Sequence, residues 1–295
     1  MPRAQLDNLH LEYEVLGDPD DPPVVLIMGF GMQLIAWPDP FCDQLIERGL
    51  RVIRFDNRDI GLSSRLKHLG QPRPGALIAR RSLGLPVNPP YPLSAMADDT
   101  VGLLDYLAIP RAHIVGASMG GMIAQLVAIR RPDRAASLCS MMSTTDQLRY
   151  GWPRPDIMRL MLHSPGPTLE ERIRHGVRFW RAIGSPGDVP SEDEVRELVT
   201  AFYRRSSDLS GFWRQFAAIV AEKSRVPLLR RLRLPALVIH GDSDPLIRPA
   251  AGVATAHAIP GAALHILPGM GHDLRPTYQP RIAELIADQV HAGHG

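Results

Sequence analysis

A serine at the tip of a predicted turn is the first residue in this chain placed to do chemistry. In His113-Ile114-Val115-Gly116-Ala117-Ser118-Met119-Gly120-Gly121, apolar β-formers run into Gly-x-Ser-x-Gly, and a helical pattern (Met122, Ile123, Leu126, Val127) follows at once. Strand, tight turn and helix are the context in which a serine hydroxyl stands clear of a sheet as a nucleophile. Gly116 and Gly120 supply the close backbone approach that such a turn demands. The helix that starts here directs free N–H groups toward any anion forming beside the serine. A hydroxyl needs a base to take its proton, and two later segments offer one and its partner acid. Gly241-Asp242-Ser243-Asp244-Pro245 follows a predicted strand ending at His240, and Gly269-Met270-Gly271-His272-Asp273 follows another ending at Leu267. The chain order serine, aspartate, histidine is that of nucleophile, orienting acid and base on a mostly parallel sheet. Asp242 and Asp244 both remain candidates for the acid on spacing alone.

The elements that would position these groups alternate. Leu11–Leu16 alternates apolar and polar residues like a half-exposed edge strand, and Val24-Val25-Leu26-Ile27-Met28 reads as a strand covered on both faces. A helix is expected over Pro38–Arg48, a strand at Arg51–Asp56, a polar loop over Asn57–Ser64 and a helix over Leu93–Leu107. Ala136–Met142, Ala236–His240 and Leu264–Leu267 read as further strands, with a last helix over Tyr278–Val290. Strand ends of such a sheet gather at one edge, where ligands bind. Residues 66–92, rich in Pro, Gly and Arg, predict a surface excursion with one helical turn.

Between about Asp146 and Ser224 the alternation stops and only amphipathic helical signals remain. Leu169, Ile173, Val177 and Trp180 share a helical face, Ser191 and Glu194 form a capping box, and Phe212, Phe216, Ile219 and Val220 form another apolar stripe. The pattern predicts an α/β core in two parts, 1–145 and 225–295, with a helical cap over 146–224 inserted between the sixth and seventh strands. Aromatic residues crowd the insertion: Trp152, Phe179, Trp180, Phe202, Phe212, Trp213 and Phe216. Met32, Trp37, Trp180, Trp213 and Phe216 are the predicted lining of an apolar pocket.

Composition removes several function classes. A net charge of +2 and the lack of a Lys/Arg run argue against nucleic acid. No apolar run is long enough to span a membrane and no apolar leader is visible, so a cytoplasmic location is expected. Cys42 and Cys139 have no metal or disulfide spacing and read as reduced, buried thiols. Gly116 to Gly121 lacks the lysine of a phosphate loop and the third glycine of a dinucleotide fingerprint, and no metal or cofactor site is expected.

The chain resembles the α/β-hydrolases along nearly its whole length. Met28-Gly29-Phe30-Gly31, Gln33 to Trp37-Pro38, Arg54-Phe55-Asp56-Asn57-Arg58-Asp59-Ile60-Gly61 and Gly269-Met270-Gly271-His272 are similar to the aclacinomycin methylesterase group. The resemblance implies Ser118 as nucleophile, His272 as general base and Asp244 as its acid, since the family's Gly-x-x-Asp selects Asp244 over Asp242. Some members take the acid from the loop after the preceding strand, here Asp146. The implied oxyanion hole is the backbone N–H of Phe30 and Met119; Met28-Gly29 stands where most of the superfamily has His-Gly. Arg58 is expected to brace its loop by an ion pair, and His240 and His265 to be core or rim residues. The implied activity is hydrolysis of apolar, small-molecule carboxylic esters through an acyl-enzyme. C–C bond hydrolysis, lactone hydrolysis or perhydrolysis on the same three residues is the alternative, with a low-turnover ligand receptor behind it. A dehalogenase or epoxide hydrolase would carry aspartate in place of Ser118.

Overall fold

Eight strands form one sheet in the order β1-β2-β4-β3-β5-β6-β7-β8 in the computed structural model, which describes residues 2–145, 150, 153–163 and 165–292. The strands are β1 (Arg3–Gln5), β2 (His10–Leu16), β3 (Pro23–Ile27), β4 (Arg51–Phe55), β5 (Ala112–Ala117), β6 (Ala135–Met141), β7 (Ala236–Gly241) and β8 (Ala263–Leu267). Pairings from β4 through β8 are parallel, whereas β1–β2 and β2–β4 are antiparallel. The sequence places β2 at the edge of the sheet. It is instead the second strand, because β1 pairs along its outer side and Arg3 reaches Glu12 at 3.1 Å.

Helices cover both faces, and strand residues of alternating parity feed the two layers. Val25, Ile27, Ile53, Ile114 and Leu138 pack with α3 (Leu93–Tyr106) and α4 (Met119–Arg130). Val24, Leu26, Val52, Val115 and Cys139 pack with α1 (Asp39–Ile46) and α11 (Gln279–Ala292). Fully burying one such aliphatic side chain is worth about 1.5–3 kcal/mol. Helix α4 is buried from Met119 through Ala128, so the helix behind Ser118 sits inside the core on all sides. Both cysteines are buried and free. Burial pushes the Cys42 thiol up to about 11, with Arg54 acting the other way.

The 66–92 excursion holds more helix than expected: α2 (Pro74–Ser82) follows a short 3-10 turn at Lys67–Leu69. Pro74 starts that helix, and Leu77 and Ile78 dock on Phe216, Ala217 and Val220. Between β6 and β7 the regular elements among the described residues are all helices: α5 (Pro155–Leu162), α6 (Leu169–Ile183), α7 (Glu192–Arg205), α8 (Phe212–Ala221) and α9 (Val226–Leu229). The capping box at Ser191 and Glu194 opens α7, and a second at Thr168 and Glu171 opens α6. Ile173, Val177 and Val195 join α6 to α7. Helix α10 (Pro249–Ala258) completes the core. Trp152 and Asp146 lie outside the described residues. No described helix is long and apolar enough to cross a membrane.

Candidate active site

Ser118 sits between β5 and α4 with φ 57° and ψ −120°, a left-handed conformation that a side chain bears only under constraint. The constraint is packing. A Cβ on Gly116 would run into the Gly120 carbonyl, and one on Gly120 into the Ile27 carbonyl of β3. The Ser118 N–H donates to Met141 O at 2.9 Å, and Ser143 Oγ donates to Ser118 O at 2.7 Å. Strand pairing on both sides of β5 thus fixes where the hydroxyl stands.

His272 and Asp244 come from the loops after β8 and β7. Their contact is 2.7 Å from Nδ1 to Oδ2. A carboxylate only accepts, so Nδ1–H is the donor in this bond and Nε2 is the ring nitrogen it leaves unengaged. The other oxygen, Oδ1, accepts the N–H groups of Leu246 and Ile247, each at 2.9 Å. Burial pushes the Asp244 carboxyl upward, but the charge of His272 and hydrogen bonds from His240 and His272 outweigh it and hold it at about 2. Asp242 is exposed and ties its turn to Gly269 N at 2.8 Å. Ser118 and His272 line one cavity of about 160 Å³ but make no direct hydrogen bond with each other among the described contacts.

Phe30 and Met119 line the same cavity. Among the described residues, neither backbone N–H meets an acceptor. The strand β3 exit is held by polar ties the sequence did not disclose. Asn57 Nδ2 donates to Met28 O at 2.9 Å, and Gln215 on α8 accepts from Gly31 N at 3.0 Å while donating to Arg58 O at 2.8 Å. Two buried ion pairs run from the same loop into the insertion: Asp56 to Arg205 at 2.6 Å and Asp59 to Arg214 at 2.6 Å. Arg58 pairs with Asp99 through two nitrogens, at 2.6 and 2.7 Å.

Of the predicted pocket residues, Met32, Trp37, Trp180 and Phe216 line the cavity with Ser118. Trp213 does not. It lines a neighbouring cavity of about 250 Å³ that also touches Met32 and Trp180. Helix α8 lies across the boundary, so Phe216 faces one cavity and Trp213 the other. Periodicity assigns a residue to a face of a helix and says nothing of which hollow that face meets.

Three further residues meet the site. His240, fully buried on β7, points Nε2 at Ile247 O (2.7 Å) and at Asp244 Oδ2 (3.3 Å). Its place four residues before Asp244 was the available signal. Asp273 lines the cavity that holds Ser118 and His272, and Ser185, after α6, holds both its oxygens: N to Oδ2 at 2.9 Å and Oγ to Oδ1 at 2.6 Å. Burial pushes the Asp273 carboxyl up against those bonds. Ser185 Oγ also accepts from Gly271 N at 2.9 Å, and His272 N donates to Ile183 O at 2.8 Å. His265 is half-buried on β8, away from these contacts.

This sheet and this site define a class. A model of the alpha/beta hydrolase fold matches residues 22–274, and the chain belongs to that family; it is an enzyme of the serine-hydrolase class. Within the family it is 30% identical over 303 residues to rhodomycin D methylesterase of Streptomyces peucetius, covering 95% of each chain. It is 27% identical to a poly(3-hydroxyalkanoate) depolymerase of Ectopseudomonas oleovorans, over 96% of this chain and 89% of that one. The fold is similar to that of an enol-lactonase from Burkholderia xenovorans LB400, with TM-score 0.76 at 22% identity over 98% of this chain and all of that one.

Proposed function

We propose that this hydrolase cleaves carboxylic esters of apolar substrates through Ser118, His272 and Asp244, with the 146–224 insertion as a cap over the site. The observation that carries the reading is the 2.7 Å bond from His272 Nδ1 to a buried, ionised Asp244. It leaves Nε2 free to act as a base on the wall of the cavity that holds Ser118. His272 takes the Ser118 proton as Oγ attacks the ester carbonyl. The oxyanion then forms beside the N–H groups of Phe30 and Met119, donors each typically worth about 100- to 1,000-fold in rate. His272 returns the proton to the leaving alcohol, and a water activated by the same nitrogen hydrolyses the acyl-enzyme on Ser118. Methionine, tryptophan and phenylalanine walls favour an apolar group in the cavity. The 30% identity to a methylesterase supports ester rather than C–C or lactone chemistry. A p-nitrophenyl ester series, from acetate to long acyl chains, tests this with wild type and Ser118→Ala. Cleavage by wild type and its loss in the variant are expected, with an optimum beyond acetate. Folded wild type that cleaves no member, or a variant that keeps the rate, refutes the proposal.

A further inference from the structure

The second cavity is lined by basic side chains with no acid among them, whereas the cavity that holds Ser118 has Asp273 as well as Arg81 and His272 in its walls. The walls of the second are mostly aromatic and aliphatic, yet Arg172, His163 and His175 all line it, and no aspartate or glutamate stands among its described lining residues. Arg172 and His175 lie three apart on α6, so they share a face. The rings of His163, His175 and Phe179 run nearly parallel, with centroids 6.3 and 6.4 Å apart. The Arg172 guanidinium lies 4.9 Å over the Tyr203 ring, and its Nε donates to Gly166 O at 3.2 Å. No described carboxylate pairs with Arg172, whereas Arg54, Arg58, Arg205 and Arg214, which are buried or nearly so, each have one. Burial, His163 and Arg178 all push the His175 imidazole down. An anion entering this cavity would meet donors and relieve crowding among like charges.

The two cavities share Phe30, Met32, Met161, Phe179 and Trp180 as walls, so the second lies directly beside the one that holds Ser118. We propose that the second cavity is a subsite for a carboxylate at the far end of the ester substrate, received by Arg172 with His163 and His175. The preferred substrate is then the ester of an apolar chain that ends in an acid. This assignment rests on the ester-hydrolase reading above.

Aryl half-esters of α,ω-dicarboxylic acids, compared with methyl-capped esters of equal length, test it. At one chain length the acid-ended ester should have a kcat/KM about tenfold higher, carried by KM. In Arg172→Met that ratio should fall to about one, with the thermal unfolding midpoint as the folding control. A wild-type ratio at or below one at every length, or a ratio that survives in Arg172→Met, overturns the proposal while leaving ester hydrolysis intact. A readout without turnover separates the two readings: tryptophan fluorescence of Ser118→Ala titrated with decanoate and with decanol. Decanoate should bind about tenfold tighter, and Arg172→Met added to Ser118→Ala should abolish the difference; equal binding overturns the subsite. If wild type cleaves no ester but decanoate is still preferred, the ester reading falls and the anion subsite stands.

Discussion

Ser185→Ala should loosen the proposed base from the insertion that grips it, and the structure sizes the effect. The hydroxyl makes two buried contacts, one donated to the Asp273 carboxyl at 2.6 Å and one accepted from Gly271 N at 2.9 Å. A hydrogen bond to a charged group contributes about 1.5–3 kcal/mol and a neutral one about 1 kcal/mol. The alanine variant loses both, and the Gly271 N–H is left buried without a partner. The Ser185 N–H still holds Asp273 Oδ2, and Ile183 O still holds the His272 N–H, so the loop is slackened rather than released. About 3 kcal/mol of stability should go, read from urea unfolding followed by tryptophan fluorescence. Because Gly271 and His272 are adjacent, the imidazole should also lose register with Ser118. We expect kcat on a p-nitrophenyl ester to drop about tenfold with KM little changed, since misplacement by an ångström can cost far more than that. Hydrogen exchange adds a local reading: the Gly271 amide should exchange faster in the variant, while amides of β5 and β6 should not. A folded variant with less than about 1 kcal/mol of lost stability and an unaltered kcat would refute the argument.

Three other outcomes follow from groups already described. Asp244→Asn should lower kcat by about 10⁴-fold, because an amide at Oδ2 no longer enforces the Nδ1–H tautomer of His272; a loss below tenfold would remove Asp244 from the mechanism. Asp59→Asn should cost about 3–5 kcal/mol in urea unfolding, since it leaves the buried Arg214 guanidinium without its counter-charge, and a cost near zero would show that the pair is idle. The Asp244 carboxyl is depressed in the fold to about 2. Its contribution to stability is therefore complete above pH ~4 and lost as pH falls through the folded value. Unfolding free energies of wild type and Asp244→Asn should draw together over that acid window, and a constant gap would contradict the assignment.

What was legible in the sequence was whatever a local backbone rule dictates. The turn at Ser118 admits glycine where carbonyls approach within contact, so Gly116 and Gly120 advertise it. The loops bearing Asp244 and His272 were placed by the strands they follow. Strand β1 was not legible, because three residues are too few to display an alternation. The ties between Asp56 and Arg205, Asp59 and Arg214, and Gln215 and Gly31 were also hidden: each joins residues more than a hundred positions apart. Nothing at either end distinguishes such an arginine from one on a solvated face. His240 read as a core or rim histidine and is fully buried, but it also reaches the carboxylate that His272 contacts. Side-chain direction at a strand terminus is set by the tertiary fold, which a spacing cannot report.

The elbow at Ser118 inverts the usual relation between importance and replaceability. Its own side chain lines a cavity rather than filling the packed core. The glycines at 116 and 120 contribute no functional group, yet a single added carbon at either would drive one strand or helix off another. In a deep mutational library scored for expression and for turnover, position 118 should be permissive in the first and empty in the second. Positions 116 and 120 should be empty in both. Lineages descending from such a chain would then be free to change the residue at 118 while the silent glycines around it stayed frozen.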